Sequence, residues 1–213
     1  EFVDPEETFI EFNCFFQVNP DLTPLSLNAL RTQVSSTIST YFSNTIGGFD
    51  QSFRRSNVLT LVDEISPGIL SSRANVRIQR RFVPTTQTTN TVTLGYPVQL
   101  AAPSNTEVII QSSNFVLNNR TCRIQNKLSS STLQVVDAGT GEIIVDSVGT
   151  YSAVGQTVTI TRLSVDQVLG NINFIKVSAV PANQSAVTPE RNELLKYDDE
   201  ASTVRAVLTE ADN

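Results

Sequence analysis

Histidine and tryptophan are absent from this 213-residue chain, cysteine occurs twice, and no apolar run comes near the length of a membrane span. Each absence removes a class of chemistry. Without histidine, acid–base catalysis near neutral pH loses its usual side chain, and a metal site would have to be built from carboxylates and amides. A bilayer-crossing helix needs roughly 18 to 20 apolar residues, so no membrane insertion is expected. The thiols Cys14 and Cys122 are too few for a disulfide framework, although a single bridge between them stays open. Cys14 falls in phase with Ile10, Phe12, Phe16 and Val18, which favours burial as a small hydrophobe, and a reducing compartment suits it. The first residues, Glu1 to Glu7, show neither an initiator Met nor a basic-then-apolar signal, so the chain reads as part of a longer polypeptide.

What is present is acid, unevenly placed. The net charge is -6, and residues 186–213 hold seven acids against three bases, hence -4 of that total. Residues 84–185 balance five against five. An acidic chain argues against general nucleic-acid binding, which draws on a basic surface for counterion release.

Residues 8–18 alternate, with Ile10, Phe12, Cys14, Phe16 and Val18 to one side and Glu11, Asn13 and Gln17 to the other, which predicts a half-buried strand. Thr23-Pro24 reads as an N-cap with proline at the first helical position. Leu27, Leu30, Val34, Ile38, Tyr41 and Phe42 then recur at helical spacing until Gly47-Gly48 stops the helix. A second helix is predicted from about Ser56 to Ile65, ended by Ser66-Pro67-Gly68. Residues 73–83 alternate again, with Ala74, Val76, Ile78 and Phe82 inward and Arg73, Arg77, Gln79 and Arg81 outward.

After Pro84 the helical period disappears. Short strands are expected at 91–98, 107–111, 115–125, 132–137, 142–147, 157–162 and 173–180, with Ala138-Gly139-Thr140-Gly141 a hairpin signal. Two more fit at 193–197 and 203–209. The fold class is therefore α+β: an N-terminal strand-helix-helix-strand unit, followed by a mainly antiparallel β domain. The expected divisions are 1–84, a sandwich-like 85–185 and an acidic segment 186–213.

No nucleophile–base pair, Gly-x-Ser-x-Gly elbow or phosphate-binding glycine pattern is present, so no enzyme, cofactor or metal is expected. Asp198-Asp199-Glu200 reads as a solvated turn before it reads as a cation site. Asn119-Arg120-Thr121 and Asn183-Gln184-Ser185 read as polar turns rather than glycosylation sites. The one concentration of interest is arginine. Arg54, Arg55, Val58, Leu61, Arg77, Arg80 and Arg81 form the candidate assembly surface, with Arg73 on the same strand. The alternative is a solvated strand face ion-paired locally to Asp50, Asp63 or Glu64. Arg80 falls on the apolar face, so it should be found paired, at an edge or against another subunit.

Three stretches carry a family likeness: FDQSFRRSNVLTLVDEISPGILSSRANVRIQRRF at 49–82, VGTYSAVGQTVTI at 148–160, and INFIKVSAVPANQSAVTPERNELLKYD at 172–198. Together they resemble the C-terminal part of baseplate wedge proteins of contractile-tailed, T-even-like phages, the baseplate J-like group. Residues 99–147 fall outside the likeness and read as an elaboration of this member. The resemblance implies a structural subunit of the virion, assembled in the host bacterial cytoplasm, that dimerises within each wedge. It further implies that the dimers join other wedge subunits in a ring around the tail hub and rearrange when the sheath contracts. The alternative is a receptor- or glycan-binding β module of a tail fibre or adhesin, which the lack of tryptophan disfavours. A cell-envelope hydrolase has no supporting residue set.

Overall fold

The structure, a computed structural model, describes residues 5–209, so Glu210 and Asp212 of the acidic segment lie outside the described residues. The chain divides into two units, Glu1–Arg77 with Gln184–Asn213, and Ile78–Asn183. The elements are α+β in the predicted order: a strand, two helices and a strand, then a mainly antiparallel series.

The first unit is built on β1 (Glu6–Val18), whose alternation puts Ile10, Phe12, Cys14 and Phe16 on a face with almost no exposure. Helix α1 (Leu27–Thr45) covers that face with Leu30, Val34, Ile38, Tyr41 and Phe42, the stripe read from the sequence. Its start differs from expectation. Ser26, not Thr23, is the N-cap, accepting from the Ala29 N–H at 3.2 Å, while Pro20–Leu22 make a short 3-10 turn capped by Asn19. Thr23 instead accepts from the Leu25 N–H, so the Thr-Pro signal belongs to the lead-in.

The two-residue strand β2 (Phe53–Arg54) runs straight into α2 (Arg55–Asp63), which buries Val58 and Val62. Next comes β3 (Ile69–Phe82), longer at its start than predicted, because Gly68 and Ile69 already bond within the turn and to Asn19. Its alternation holds through Ala74, Val76 and Ile78 and then fails. Gln79, expected outward, has no exposure, and Phe82, expected inward, is half-buried.

The C-terminal segment returns to the first unit as β13 (Ala186–Val187), β14 (Glu193–Tyr197) and β15 (Thr203–Leu208). Strand β13 pairs with β2, while β14 and β15 both run parallel to β1, beside Glu6–Ile10 and Asn13–Val18 respectively. Strand β3 is the other neighbour of β1. The aromatic core lies under the helices, with Phe42 stacked between Phe53 and Tyr197 and Phe12 edge-on to Phe42 and Phe53.

In the second unit the end of β3 is followed by β4 (Thr89–Gly95), β5 (Ile110–Ser112), β6 (Phe115–Leu117), β7 (Arg120–Asn126), β8 (Thr132–Asp137), β9 (Ile143–Ser152), β10 (Thr157–Ser164), β11 (Gln167–Val168) and β12 (Ile175–Ala179). Their order is β3, β12, β5, β7, β8, β9, β10, β4, antiparallel at each pairing. The run 115–125, expected as one strand, is a hairpin. Asn118 and Asn119 both take positive φ, 52° and 59°, the geometry of a two-residue turn that asparagine tolerates. At 138–141 the hairpin forms as read, with Asp137 accepting from the N–H groups of Gly139 and Thr140. Those bonds to its carboxylate hold its pKa below the usual value.

Candidate assembly surface

The structure separates the seven residues read as an assembly surface. Val58 is fully buried in its own chain, so it has nothing to offer a partner. Leu61, one position from the buried Val62 on α2, keeps 39% of its surface exposed and stands at the rim of a groove of about 340 Å³ with Thr37, Tyr41 and Asn44 of α1. Arg54 is exposed, but its backbone pairs with Ala186. Arg55 is half-buried; its backbone N–H donates to the Ser185 carbonyl and its guanidinium to the Ala74 carbonyl at 3.1 Å. Together with the Val76 N–H donated to Gln184, these bonds clamp the returning segment onto α2 and β3. The Asn183-Gln184-Ser185 triplet is thus part of a structural clasp.

Arg77 is half-buried on the first part of β3. Arg80 and Arg81 belong to the second unit. Arg80 is only 9% exposed, and its Nε–H donates to the Gly95 carbonyl at 2.6 Å, so the arginine on the apolar face is paired. Arg81 lies over the Phe174 ring, 4.7 Å from its centroid, and donates to the Gln79 side chain. Most of this arginine set ties the chain to itself.

A second cluster of arginine and aromatic side chains lies in the first unit. The face of β1 turned away from the helices carries Phe9, Glu11, Asn13, Phe15 and Gln17. Phe15 stands opposite Arg205 of β15, with the Arg205 guanidinium 6.0 Å and the Arg73 guanidinium of β3 5.5 Å from its ring centroid. Neither guanidinium has a carboxylate or hydrogen-bond partner among the described residues. Of the acids on the same face, Glu7 is ion-paired with Lys196 and Glu11 is buried. Alternation along 73–83 marks Arg73 as outward, but Phe15 and Arg205 lie outside the surface expected from the sequence. The available signal was a phenylalanine at a position where alternation calls for a polar residue.

Cys14 and Cys122 are free thiols, and burial pushes Cys14 up to about 12, with the Asp63 charge adding to the effect. Burial also raises Cys122. Glu193 is buried, accepts from the Thr8 hydroxyl and the Glu190 N–H, and so fixes the start of β14. Asp198 is buried and accepts from the Ala201 N–H within its turn. Among the described residues, no group of three or more cysteine or acidic side chains is placed to hold a metal ion, and no helix is long and apolar enough to cross a membrane.

Residues 7–81 match the family model of baseplate structural protein gp6, C-terminal domain III. No curated protein matches the chain. The matched span, roughly a third of the sequence, takes in β1, both helices and almost all of β3. It contains most of the first stretch read as baseplate-like, while 148–160 and 172–198 lie outside it. The match names a gp6 domain rather than the baseplate J-like group. On this similarity the chain is a structural subunit of a phage baseplate, located in the tail of the virion.

Proposed function

We propose that the chain is a wedge subunit of a contractile tail, of baseplate J-like character, that dimerises, links wedges into the ring around the tail hub and rearranges as the sheath contracts. It performs no catalytic step. The observation that carries the reading is the similarity of 7–81 to a baseplate structural domain. Two features of the first unit support it. Its helical half leaves Phe49 58% and Leu61 39% exposed, apolar surface of the kind that subunit contacts cover. Its arginine pair around Phe15 has the aromatic-plus-guanidinium composition of interface centres.

Sedimentation equilibrium over a wide concentration range tests the self-association. A reversible dimer is expected, weakened at least about tenfold by Leu61→Glu combined with Phe49→Glu, with the circular dichroism spectrum unchanged. A chain that stays monomeric at the highest concentration overturns the dimer.

A further inference from the structure

We infer that β15 is a docking edge for an extended acidic segment of another protein subunit, added as a strand beside Thr203–Leu208. Among the described residues β15 pairs with β1 alone, so one side of it has no strand partner. The Thr209 N–H donates to the Val18 carbonyl, which points the N–H groups of 203, 205 and 207 toward β1. By strand alternation, those of Val204, Ala206 and Leu208 point outward. The strand carries no proline and no bulge, two of the devices that protect an edge from pairing. Val207 and Leu208 are 55% and 54% exposed.

Charge decides what chemistry fits there. On the face away from the helices, a groove of about 260 Å³ is lined by Phe15, Gln17, Ser71, Arg73 and Val207. On the helical side, one of about 500 Å³ is lined by Arg31, Ser35, Ser39 and Val204. An added strand sends alternate side chains to the two sides, so one set lies beside Arg205 of the edge strand and the other beside the groove that holds Arg31. Arg31, Arg73 and Arg205 have no carboxylate or hydrogen-bond partner among the described residues, although the chain is acidic overall at -6. Carboxylates from a partner strand would supply what the acids among the described residues do not, and guanidinium forks suit that pairing. The proposal deepens the assembly reading, yet fails separately from it: solution mass reports self-association, while strand capture reports this edge.

The test is fluorescence anisotropy on the whole chain, with a labelled peptide alternating glutamate and valine and a second alternating lysine and valine. The glutamate peptide should bind saturably and at least about tenfold tighter than the lysine peptide. Arg205→Glu should erase that preference. Ala206→Pro removes an outward N–H, so it should abolish capture while thermal melting stays at the wild-type temperature. Absence of saturable binding, equal affinity for both peptides, or capture that survives Ala206→Pro each overturns the proposal. Dispersal of a self-associated form by Ala206→Pro would also overturn it, because the edge would then belong to a second copy.

Discussion

Phe42 of α1 and Tyr197 of β14 stack face to face, their ring centroids 4.3 Å apart and their planes 6° from parallel. Phe53 stacks on Phe42 as well, at 5.5 Å, so this ring joins the helical layer to the last quarter of the chain. Truncating Phe42 should therefore be costly. Phe42→Ala is expected to lose roughly 3–5 kcal/mol of stability by urea unfolding. A double-mutant cycle with Tyr197→Ala should show coupling of roughly 0.5–1.5 kcal/mol. Additive losses would mean that the stack contributes nothing beyond burial.

The returning segment is required for the first unit. Without residues 184–213, β1 loses β14 and β15, β2 loses β13, and the Val76 and Arg55 N–H groups lose Gln184 and Ser185. A chain ending at Asn183 should lose cooperative unfolding of that unit, read as amide exchange across β1 and α1 at near-unfolded rates. Native protection in the truncated chain would contradict this account of the fold.

Arg80 distinguishes internal anchoring from subunit contact. Its guanidinium donates to the Gly95 carbonyl from a nearly buried position. Arg80→Met should cost about 1–3 kcal/mol, since the carbonyl loses a charged donor, and should leave solution mass unchanged. A change in mass with stability intact would return Arg80 to the assembly surface.

Gly149 is held at φ 151°, and a Cβ there would lie 2.0 Å from the Thr159 carbonyl oxygen of β10. The neighbouring β8–β9 ladder shifts register just there. Gly149→Ala should destabilise the second unit by on the order of 3 kcal/mol, measured by its unfolding midpoint, because neither backbone can retreat without breaking the ladder. An unchanged midpoint would show that the strands slide freely.

Cys14 gives a pH dependence with a definite sign. An unfolded thiol titrates near about 8.5, whereas burial, aided by the Asp63 charge, lifts Cys14 in the folded state to about 12. Stability from keeping the thiol neutral is thus full below about pH 8.5 and lost as pH rises toward 12. Wild type should weaken more steeply than Cys14→Ala between about pH 9 and 11 in urea melts. Parallel curves would mean that Cys14 does not contribute.

The fold was legible where one period dominates. The alternation of β1 and the stripe of α1 each follow from a single buried face, and the two C-terminal strands fall at their expected positions. Local signals were less reliable where two compete. Thr23-Pro24 looks like a cap, but Ser26 satisfies the Ala29 N–H, and Asn118-Asn119 makes a turn inside what reads as one strand. The arginine surface was legible only as a composition. Whether a guanidinium meets a carbonyl, as at Arg80, or an aromatic ring, as at Arg73, depends on neighbours far along the chain. Phe15 was the exception, since its place on a polar face was visible in the sequence.

Electron cryomicroscopy of baseplates carrying this subunit, before and after sheath contraction, tests the central claim most directly. The account predicts copies of the chain in contact around the ring, with their contacts changed after contraction. Copies that never touch one another, or that keep one arrangement in both states, would contradict it.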